Sequence, residues 1–253
     1  MQKAANSIKA IWEAALDIIF PRRCLICGAI NPAGEYKYVC PDCINEVHVM
    51  RGGHCLTCAE IVGAPDMPNI PRCGKCSLNP PKFNRSFALC IFDGAAREMI
   101  HGLKYKCAPH VLKDMSAIAT KSEALRDFLK GSVLVPVPIH GSRLAKRKYN
   151  QSDLIAKMLV DTFPDNGMQI VRLLKRVKKT TTQTKLDRES RAKNMRGAFK
   201  FAPSKRGKEI APGARIVLVD DVMTTTATLS ECAYALKKAG FKHIDAFAFA
   251  KKM

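Results

Sequence analysis

Short apolar runs, separated by segments with helical periodicity, dominate the chain beyond its first third. Residues 216–219 form a continuous run of strand-favouring residues, the pattern of a strand that is buried on both faces. A second such run, at residues 133–135, continues into a rigid Pro-x-Pro turn. Further strands are predicted at residues 83–92, 169–176, 198–201 and 243–250, and helices at residues 97–103, 152–163 and 229–240.

The alternation of strands and helices predicts an α/β fold with a largely parallel sheet. Ligands of such folds bind in a crevice outside the carboxyl ends of the strands. Asp220 and the turn at Pro136 both follow predicted strands, so we expect both at that crevice. The Pro80-Pro81 pair marks a boundary between segments. The predicted organisation is an N-terminal helix (residues 1–20), a Cys-rich domain (residues 21–80) and a larger domain (residues 81–253).

Cysteines organise the first third of the chain. Eight of the eleven form four Cys-x-x-Cys pairs, with 12 residues between the first two pairs and 14 between the last two. Each pair can present two thiolates to one metal ion, and two pairs complete a tetrahedral zinc site. The spacing therefore favours two successive zinc ribbons. The predicted ligands are Cys24, Cys27, Cys40, Cys43, Cys55, Cys58, Cys73 and Cys76.

Disulfides and redox-active Cys-x-x-Cys pairs are the alternatives to zinc, but nothing marks the chain for export, and four similarly spaced pairs favour metal. Interleaved pairing of the four motifs and replacement of one thiolate by His54 stay open. A lobe with so little apolar sequence is expected to need its metal to fold, which makes the zinc structural. The other three cysteines, Cys90, Cys107 and Cys232, are predicted to be buried thiols.

Two carboxylates and a cluster of hydroxyl residues follow the run at residues 216–219. Asp220 and Asp221 come where that strand is expected to end, and the next helix is preceded by the hydroxyl loop, defined here as Thr224, Thr225, Thr226, Ala227 and Thr228. The first N–H groups of a helix and its dipole favour a phosphate. Hydroxyls add donors, while paired carboxylates accept from ribose hydroxyls or bind Mg²⁺. A sugar-phosphate site is predicted; the alternative is a corner where one residue caps the helix.

Charge points to an anionic partner. The net charge is +20, and residues 141–215 contain 20 Lys/Arg against 6 Asp/Glu, or +14 of that total. Phosphate ligands, nucleic acid or both would account for it, and a solvated basic face is the alternative. Tyr149 offers a ring for base stacking. The candidate phosphate or nucleic-acid contacts are Arg143, Arg147, Lys148, Lys178 and Lys179.

The polar, basic segment at residues 178–197 is longer than most connections between strands. A lid that closes over an anionic ligand would explain its length and charge, with Arg188 and Arg191 as candidates; an exposed, solubilising hairpin is the alternative. Lys104, at the basic end of the helix predicted at residues 97–103, is a weaker candidate, because lysines also suit helix C-termini.

No apolar run approaches the roughly 20 residues that span a bilayer. Residues 4–20 include Lys9, Glu13 and Asp17 and have no cleavage pattern, which indicates a short amphipathic helix and not a signal peptide. We therefore expect a cytoplasmic protein in which this helix packs on its own chain.

The motifs, taken in order, resemble those of ComF-family competence proteins, including the GntX-like members. After the four Cys-x-x-Cys pairs come Leu-Lys-Tyr at residues 103–105, Pro-Val-Pro-Ile-His at residues 136–140, Arg-x-x-x-Arg-x-Tyr-Asn-Gln at residues 143–151 and Asp-Asp-x-x-Thr-Thr at residues 220–225. The resemblance covers essentially the whole chain beyond residue 20. It implies a double zinc ribbon joined to a domain of the type I phosphoribosyltransferase type, with a role in handling single-stranded DNA during natural transformation and with other DNA-uptake proteins as partners.

The segment from Val217 to Thr228 also resembles the fingerprint by which type I phosphoribosyltransferases bind phosphoribosyl pyrophosphate (PRPP) with Mg²⁺. One departure is Thr226, where that family usually has Gly, a residue that reaches positive φ without strain. The resemblance implies that the segment at residues 178–197 takes the place of the catalytic hood. It also implies that the loop after the first core strand approaches the pyrophosphate. That loop is formed by Val137, Pro138, Ile139 and His140. A lone His after a strand is more often structural.

Two functional hypotheses follow. In the first, the protein serves natural transformation, with basic residues on a single strand of DNA and PRPP or a related ligand at the two carboxylates. In the second, it is an active phosphoribosyltransferase that transfers ribose 5-phosphate from PRPP to an unidentified acceptor, without a direct role on DNA.

Overall fold

The computed structural model describes residues 22–31, 34–178 and 195–253. The prediction of a helix at residues 1–20 lies outside this part of the chain. The described strands are β1 Ser86–Ile91, β2 Val133–Pro136, β3 Gln169–Ile170, β4 Leu174–Arg176, β5 Phe199–Phe201, β6 Ile216–Met223 and β7 Ile244–Lys251. The described α-helices are α1 Pro41–Asn45, α2 Gly74–Leu78, α3 Gly94–Tyr105, α4 Leu112–Thr120, α5 Glu123–Leu129, α6 Gly141–Arg147, α7 Gln151–Thr162 and α8 Ala227–Lys238.

Five strands form a parallel sheet in the order β1-β7-β6-β2-β3, and β4 and β5 form a separate antiparallel pair. This confirms the predicted α/β class with a largely parallel sheet. After β2 the chain moves to β3 on one side of the sheet, whereas after β6 it moves to β7 on the other. The connections therefore diverge between β2 and β6, which creates a crevice at their carboxyl ends.

Burial on both faces explains the apolar runs that predicted these strands. Val217 and Val219 of β6 face a core that includes α3 and α7, whereas Ile216 and Leu218 face a second core that includes α8. Side chains alternate across a strand, so each face of the sheet packs its own layer. Every residue of β2 and β7 is buried, as expected for central strands of a parallel sheet.

Several predicted boundaries differ from the structure. The strand predicted at residues 216–219 continues to Met223, because β7 pairs with it four residues further. The strand predicted at residues 169–176 is two short strands in different sheets. The basic segment after the Pro-x-Pro turn, for which the sequence predicted no element, forms α6. Helices α4 and α5, between β1 and β2, were not predicted from the sequence.

A buried carboxylate joins the Cys-rich domain to the larger one. Asp114 in α4 is 1% exposed and accepts hydrogen bonds from the backbone N–H groups of Lys37, Tyr38 and Val39 at 2.8, 2.8 and 2.7 Å. These donors immediately precede Cys40. Asp114 thus fixes the approach to one pair of cysteines from a helix of the other domain.

None of the described helices is both long enough and apolar enough to cross a membrane.

We predict that Asp114→Ala lowers the free energy of unfolding by about 2–4 kcal/mol, because three backbone donors lose a charged acceptor. The matched control is Asp161→Ala. Asp161 lies on an exposed helical face with a single i,i+4 partner, Lys157, and its replacement is expected to cost less than about 0.5 kcal/mol. Urea unfolding of the zinc-loaded variants measures both. Equal losses in the two variants would contradict the bridging role of Asp114.

Candidate functional site

The eight paired cysteines form two separate clusters. Cys24, Cys27, Cys40 and Cys43 make the first, Cys55, Cys58, Cys73 and Cys76 the second, and within each cluster all thiol sulfurs lie within 4.8 Å of one another. The pairing is sequential, as the spacing favoured. His54 lies beside the second cluster and not in it.

The two clusters share one local architecture. An isolated antiparallel bridge closes the first Cys-x-x-Cys turn of each, between Arg23 and Ile30 and between His54 and Ile61. The second turn leads directly into a short helix, α1 after Cys40 and α2 after Cys73. The repeat indicates two zinc ribbons of the same construction.

The sulfur geometry fits tetrahedral zinc. Zinc–sulfur bonds of about 2.3 Å place sulfurs roughly 3.8 Å apart. The distance is 3.7 Å between the Sγ atoms of Cys27 and Cys40 and 3.8 Å between those of Cys58 and Cys73, far beyond the roughly 2.05 Å of a disulfide. Backbone N–H groups also donate to these sulfurs, as from Cys73 to the Sγ of Cys55 at 3.2 Å. Burial raises the pKa of Cys58, and neighbouring Cys76 acts in the same direction, so a cation is needed to hold both as thiolates.

Two of the three remaining cysteines are buried and one is exposed. Cys90 and Cys232 are fully buried, as predicted, and burial raises the pKa of each thiol. The prediction for Cys107 is wrong: this thiol is exposed. It follows the end of α3 with a φ of 48°, and this reversal of the chain leaves its side chain outside the core.

Asp220 and Asp221 lie at the crevice between β2 and β6. Pairing with β2 ends at Val219, where the N–H of Val137 donates to the Val219 carbonyl, whereas pairing with β7 continues to Met223. Both carboxylates therefore lie inside a strand with one open edge. Because side chains alternate along it, the two groups leave the strand toward opposite faces.

Each carboxylate has its own partner. Asp221 is 8% exposed and pairs with the Nζ of Lys104, at the end of α3, at 2.7 Å. Asp220 accepts from the Oγ of Ser152, in the first turn of α7, at 3.2 Å and from the N–H of Asp221. Burial, reinforced by the charge of Asp221, raises the pKa of Asp220 to about 7, although Lys104 opposes the shift. Asp220 is consequently poised to lose its proton when a cation arrives.

The hydroxyl loop, at the start of α8, has hydroxyl groups that are available to donate hydrogen bonds. Within the described chain, the hydroxyls of Thr224, Thr225, Thr226 and Thr228 take no part in a hydrogen bond. Thr226 is the N-cap of α8 but makes no side-chain cap bond. The first backbone N–H groups of this 12-residue helix therefore stay available to donate hydrogen bonds to a ligand. The φ of Thr226 is −70°, so the backbone at this residue does not need the positive φ that favours Gly.

A buried lysine connects this loop to the second zinc ribbon. Lys251, the last residue of β7, is 4% exposed, and its Nζ donates to the Thr224 carbonyl at 3.3 Å. It also pairs with Glu60 at 3.2 Å, and Glu60 pairs with Lys75 of α2 at 2.7 Å. Through Lys251, the start of the hydroxyl loop is thereby connected to Glu60 in the second zinc ribbon.

The predicted pyrophosphate loop, Val137 to His140, lies beside β6. The Nδ2 of Asn150 donates to the Val137 carbonyl at 3.1 Å, and β2 and β6 pair directly through Pro136 and Val219. His140 caps α6 by accepting from the N–H of Ser142. A structural role for His140 is therefore present in the structure.

The described basic candidates lie in two places, on α6 with its C-cap and just after β4. Arg143 and Arg147 belong to α6, Lys148 is its exposed C-cap, and Lys178 is an exposed residue whose Nζ donates to the Arg196 carbonyl at 2.8 Å. Lys179, Arg188 and Arg191, and with them most of the predicted lid, lie outside the described residues.

The structure adds three residues to the site that the sequence did not single out firmly. Lys104 was a weak candidate because a helix C-terminus explains a lysine equally well. Ser152 had no signal beyond its place at a helix start. Arg176 lies at the end of β4. Burial lowers the pKa of its guanidinium group, the positive charge of Arg143 acts in the same direction, and the negative charge of Asp220 opposes both. Only the packing of the layers brings these residues to one crevice.

Known proteins match the chain in both of its parts. A model of the double zinc ribbon domain matches residues 15–77. Competence protein F of Haemophilus influenzae is 26% identical over 229 residues, 85% of this chain and 98% of that protein. The DNA utilization protein YhgH of Salmonella typhi is 25% identical over 237 residues, 92% of this chain and 98% of its own length. The resemblance to competence proteins predicted from the motifs is thus confirmed.

Among solved structures, a purine phosphoribosyltransferase from Pyrococcus horikoshii Ot3 aligns over 56% of this chain and 82% of its own, at 14% identity and a TM-score of 0.29. At this score the alignment supports no further conclusion about the chain.

We predict two zinc ions per chain, one for each cluster. Cys58→Ser is expected to lose one of them, because a tetrahedral site loses a ligand, while Cys232→Ser is expected to keep both, since Cys232 is buried away from either cluster. Metal analysis of the purified proteins by mass spectrometry measures the ratio. A wild-type protein with cysteines intact but no zinc would refute the assignment.

We also predict a pH signature for Asp220. Its folded pKa of about 7 lies above the ordinary value, so the folded state holds an extra proton between about pH 4 and pH 7. The stability contributed is fully present below pH 4 and is lost as the pH rises through 7. Asp220→Asn keeps an oxygen for Ser152 but cannot ionise. It is expected to match wild type at pH 4 and to be more stable at pH 8 by on the order of 1–3 kcal/mol.

Urea unfolding across this range, without Mg²⁺, provides the measurement, and Asp161→Asn is the control that should follow wild type. If Asp220→Asn and wild type lose stability in parallel from pH 4 to pH 8, then Asp220 titrates as an ordinary carboxyl group.

Proposed function

We propose that this protein binds PRPP or a closely related sugar phosphate together with Mg²⁺ at Asp220, Asp221 and the hydroxyl loop, and that it serves natural transformation by handling single-stranded DNA. The observation that carries the first part is the crevice itself. It combines the buried carboxylate of Asp221, the half-buried carboxylate of Asp220, hydroxyls without partners in the described chain and the open amino end of a helix.

The residues match the parts of such a ligand. Carboxylate oxygens suit both ribose hydroxyls and Mg²⁺, and the amides and hydroxyls ahead of α8 suit the 5′-phosphate. The pyrophosphate would lie toward Val137 to His140. Lys104 and Arg176 are the cations already in place at the crevice, and either can neutralise phosphate oxygens. Bound Mg²⁺ supplies charge neutralisation for the diphosphate.

Charge and relatives support the second part. The excess of +14 over residues 141–215 favours a polyanion, and α6 presents Arg143 and Arg147 on the rim of the crevice, with Lys148 at its end. The relatives that match nearly the whole chain carry names that refer to competence and to DNA utilization. We place the protein in the cytoplasm on this basis, with other DNA-uptake proteins as partners.

The second candidate function is active phosphoribosyl transfer to an unidentified acceptor. It is favoured by the same carboxylates and by the φ of Thr226, which needs no glycine. Transfer would develop positive charge on the sugar, and Asp220 and Asp221 are placed to stabilise that charge electrostatically. Release of pyrophosphate in the presence of a nucleobase or another nucleophile would distinguish transfer from binding alone.

We predict that PRPP with Mg²⁺ raises the thermal stability of the wild-type protein and that Asp221→Ala abolishes the effect. A ligand at a hundred times its dissociation constant adds roughly 2.7 kcal/mol to the native state. Differential scanning fluorimetry with and without ligand measures the shift. Asp221→Asn is a second variant, because it leaves Lys104 an oxygen to bind if the alanine variant folds poorly.

Asp161→Ala is the matched control and should shift as wild type does. If PRPP with Mg²⁺ stabilises Asp221→Ala as much as wild type, the Asp221 carboxylate takes no part in binding the ligand. If the ligand does not raise the thermal stability of the zinc-loaded, folded wild-type protein, the PRPP proposal is refuted. The proposed function would then rest on the basic surface alone.

A further inference from the structure

Two chains of contacts lead from the carboxylates to one exposed aromatic ring. From Asp221 the path runs to Lys104 at 2.7 Å, and the next residue is Tyr105. From Asp220 it runs to Ser152, whose neighbour Gln151 accepts from the Nη1 of Arg147 at 3.1 Å. The guanidinium carbon of Arg147 lies 5.2 Å from the centre of the Tyr105 ring. The Tyr105–Arg147 pair is thus fixed from both sides of the crevice.

The pair is open to solvent although it is held in place. Tyr105 is 66% exposed, and the ring of His101 meets its edge at 5.5 Å. Tyr149, which the sequence suggested as the stacking residue, instead packs its ring against the core and donates its hydroxyl to the Leu103 carbonyl at 2.7 Å. That hydrogen bond secures the end of α3, so Tyr149 supports the residue that offers the ring.

The two chain segments that carry the pair are basic. Neither residues 101–107 nor residues 141–150 include an acidic residue, and Lys106, Lys146 and Lys148 are exposed. Other tyrosine–cation pairs of the described chain differ in this respect. Lys121 lies over Tyr36 but also pairs with Glu35, and the groove beside Tyr234 and Lys238 contains Glu231.

We propose that Tyr105 and Arg147 form a stacking platform for a base of single-stranded DNA, with the strand's phosphates on Lys106, Lys146 and Lys148, directly beside the proposed sugar-phosphate site. The inference rests on the proposed DNA function and assigns it a position. An aromatic face next to cations, without carboxylates, binds single strands with little sequence preference, because every base has a π-face. A rigid duplex offers its stacked bases no access to such a ring.

Fluorescence anisotropy with a labelled oligothymidylate of about 15 nucleotides tests the platform at several NaCl concentrations. We expect Tyr105→Ala to weaken binding by about 5- to 150-fold at every salt concentration while leaving the salt slope unchanged, because stacking releases no counterions. Tyr105→Phe should bind as wild type. Lys148→Gln should instead reduce the slope by about 0.7, the effect of one lost phosphate contact on a single strand.

Tyr234→Ala is the matched control, since Tyr234 is also exposed (43%) and lies under a lysine, but far along α8 from the crevice. It should bind the oligonucleotide unchanged. Tyr105→Ala should also retain its zinc and its stabilisation by PRPP with Mg²⁺, which separates the platform from the fold and from the sugar-phosphate site.

Unchanged affinity in Tyr105→Ala, or an equal loss in Tyr234→Ala, would overturn the platform while leaving the DNA function standing. Failure of the zinc-loaded wild-type protein to bind the oligonucleotide at low salt would overturn both. Binding of thymidine 5′-monophosphate that depends on Tyr105, without binding of the strand, would reassign the ring to a mononucleotide and refute the proposal as stated.

Discussion

The unequal pairing of β6 is the constraint on which the site depends. One neighbour, β2, stops at Val219, and the other, β7, continues to Met223. A strand with two partners is closed on both edges, whereas four further residues with one partner leave an open edge at the crevice. Asp220 and Asp221 occupy the first two of those positions, and the hydroxyl loop follows. The backbone of both aspartates is therefore held by β7 on one edge, while the other edge is left unpaired by β2.

Removing two adjacent carboxylates from solvent, one fully and one partly, costs free energy, and the structure compensates the two unequally. Asp221 receives a full positive charge from Lys104, whereas Asp220 has only a hydroxyl and a backbone N–H and keeps a raised pKa. A site built in this way is under electrostatic strain when empty of cations. Mg²⁺ or a cationic sugar intermediate, bound as we propose, would relieve that strain, and the arrangement would then exchange some stability for affinity.

The zinc ribbons brace the larger domain at two places. Asp114 holds the chain that enters Cys40, and Lys251 connects the Thr224 carbonyl to Glu60 behind the second ribbon. Ala59, between Cys58 and Glu60, is fully buried in the same core as β6 and α8. The ribbons are thus part of the scaffold that positions the hydroxyl loop.

The sequence determined the features that follow from a clear spacing within one segment. Four Cys-x-x-Cys pairs determined that the sulfurs come together two by two, because each turn is only four residues long, but the fold decided that neighbouring turns pair in sequence. Continuous apolar runs determined the central strands, because burial on both faces leaves no alternation. Contacts between distant residues depended on the tertiary structure. The pairing of Lys104 with Asp221, the end of β6 and the exposure of one tyrosine were decided by the packing of α3, α6 and α7 against the sheet. A residue's neighbours across layers leave no periodic trace in its own segment, so Tyr149 and Tyr105 are indistinguishable in sequence and only the fold buries one and exposes the other.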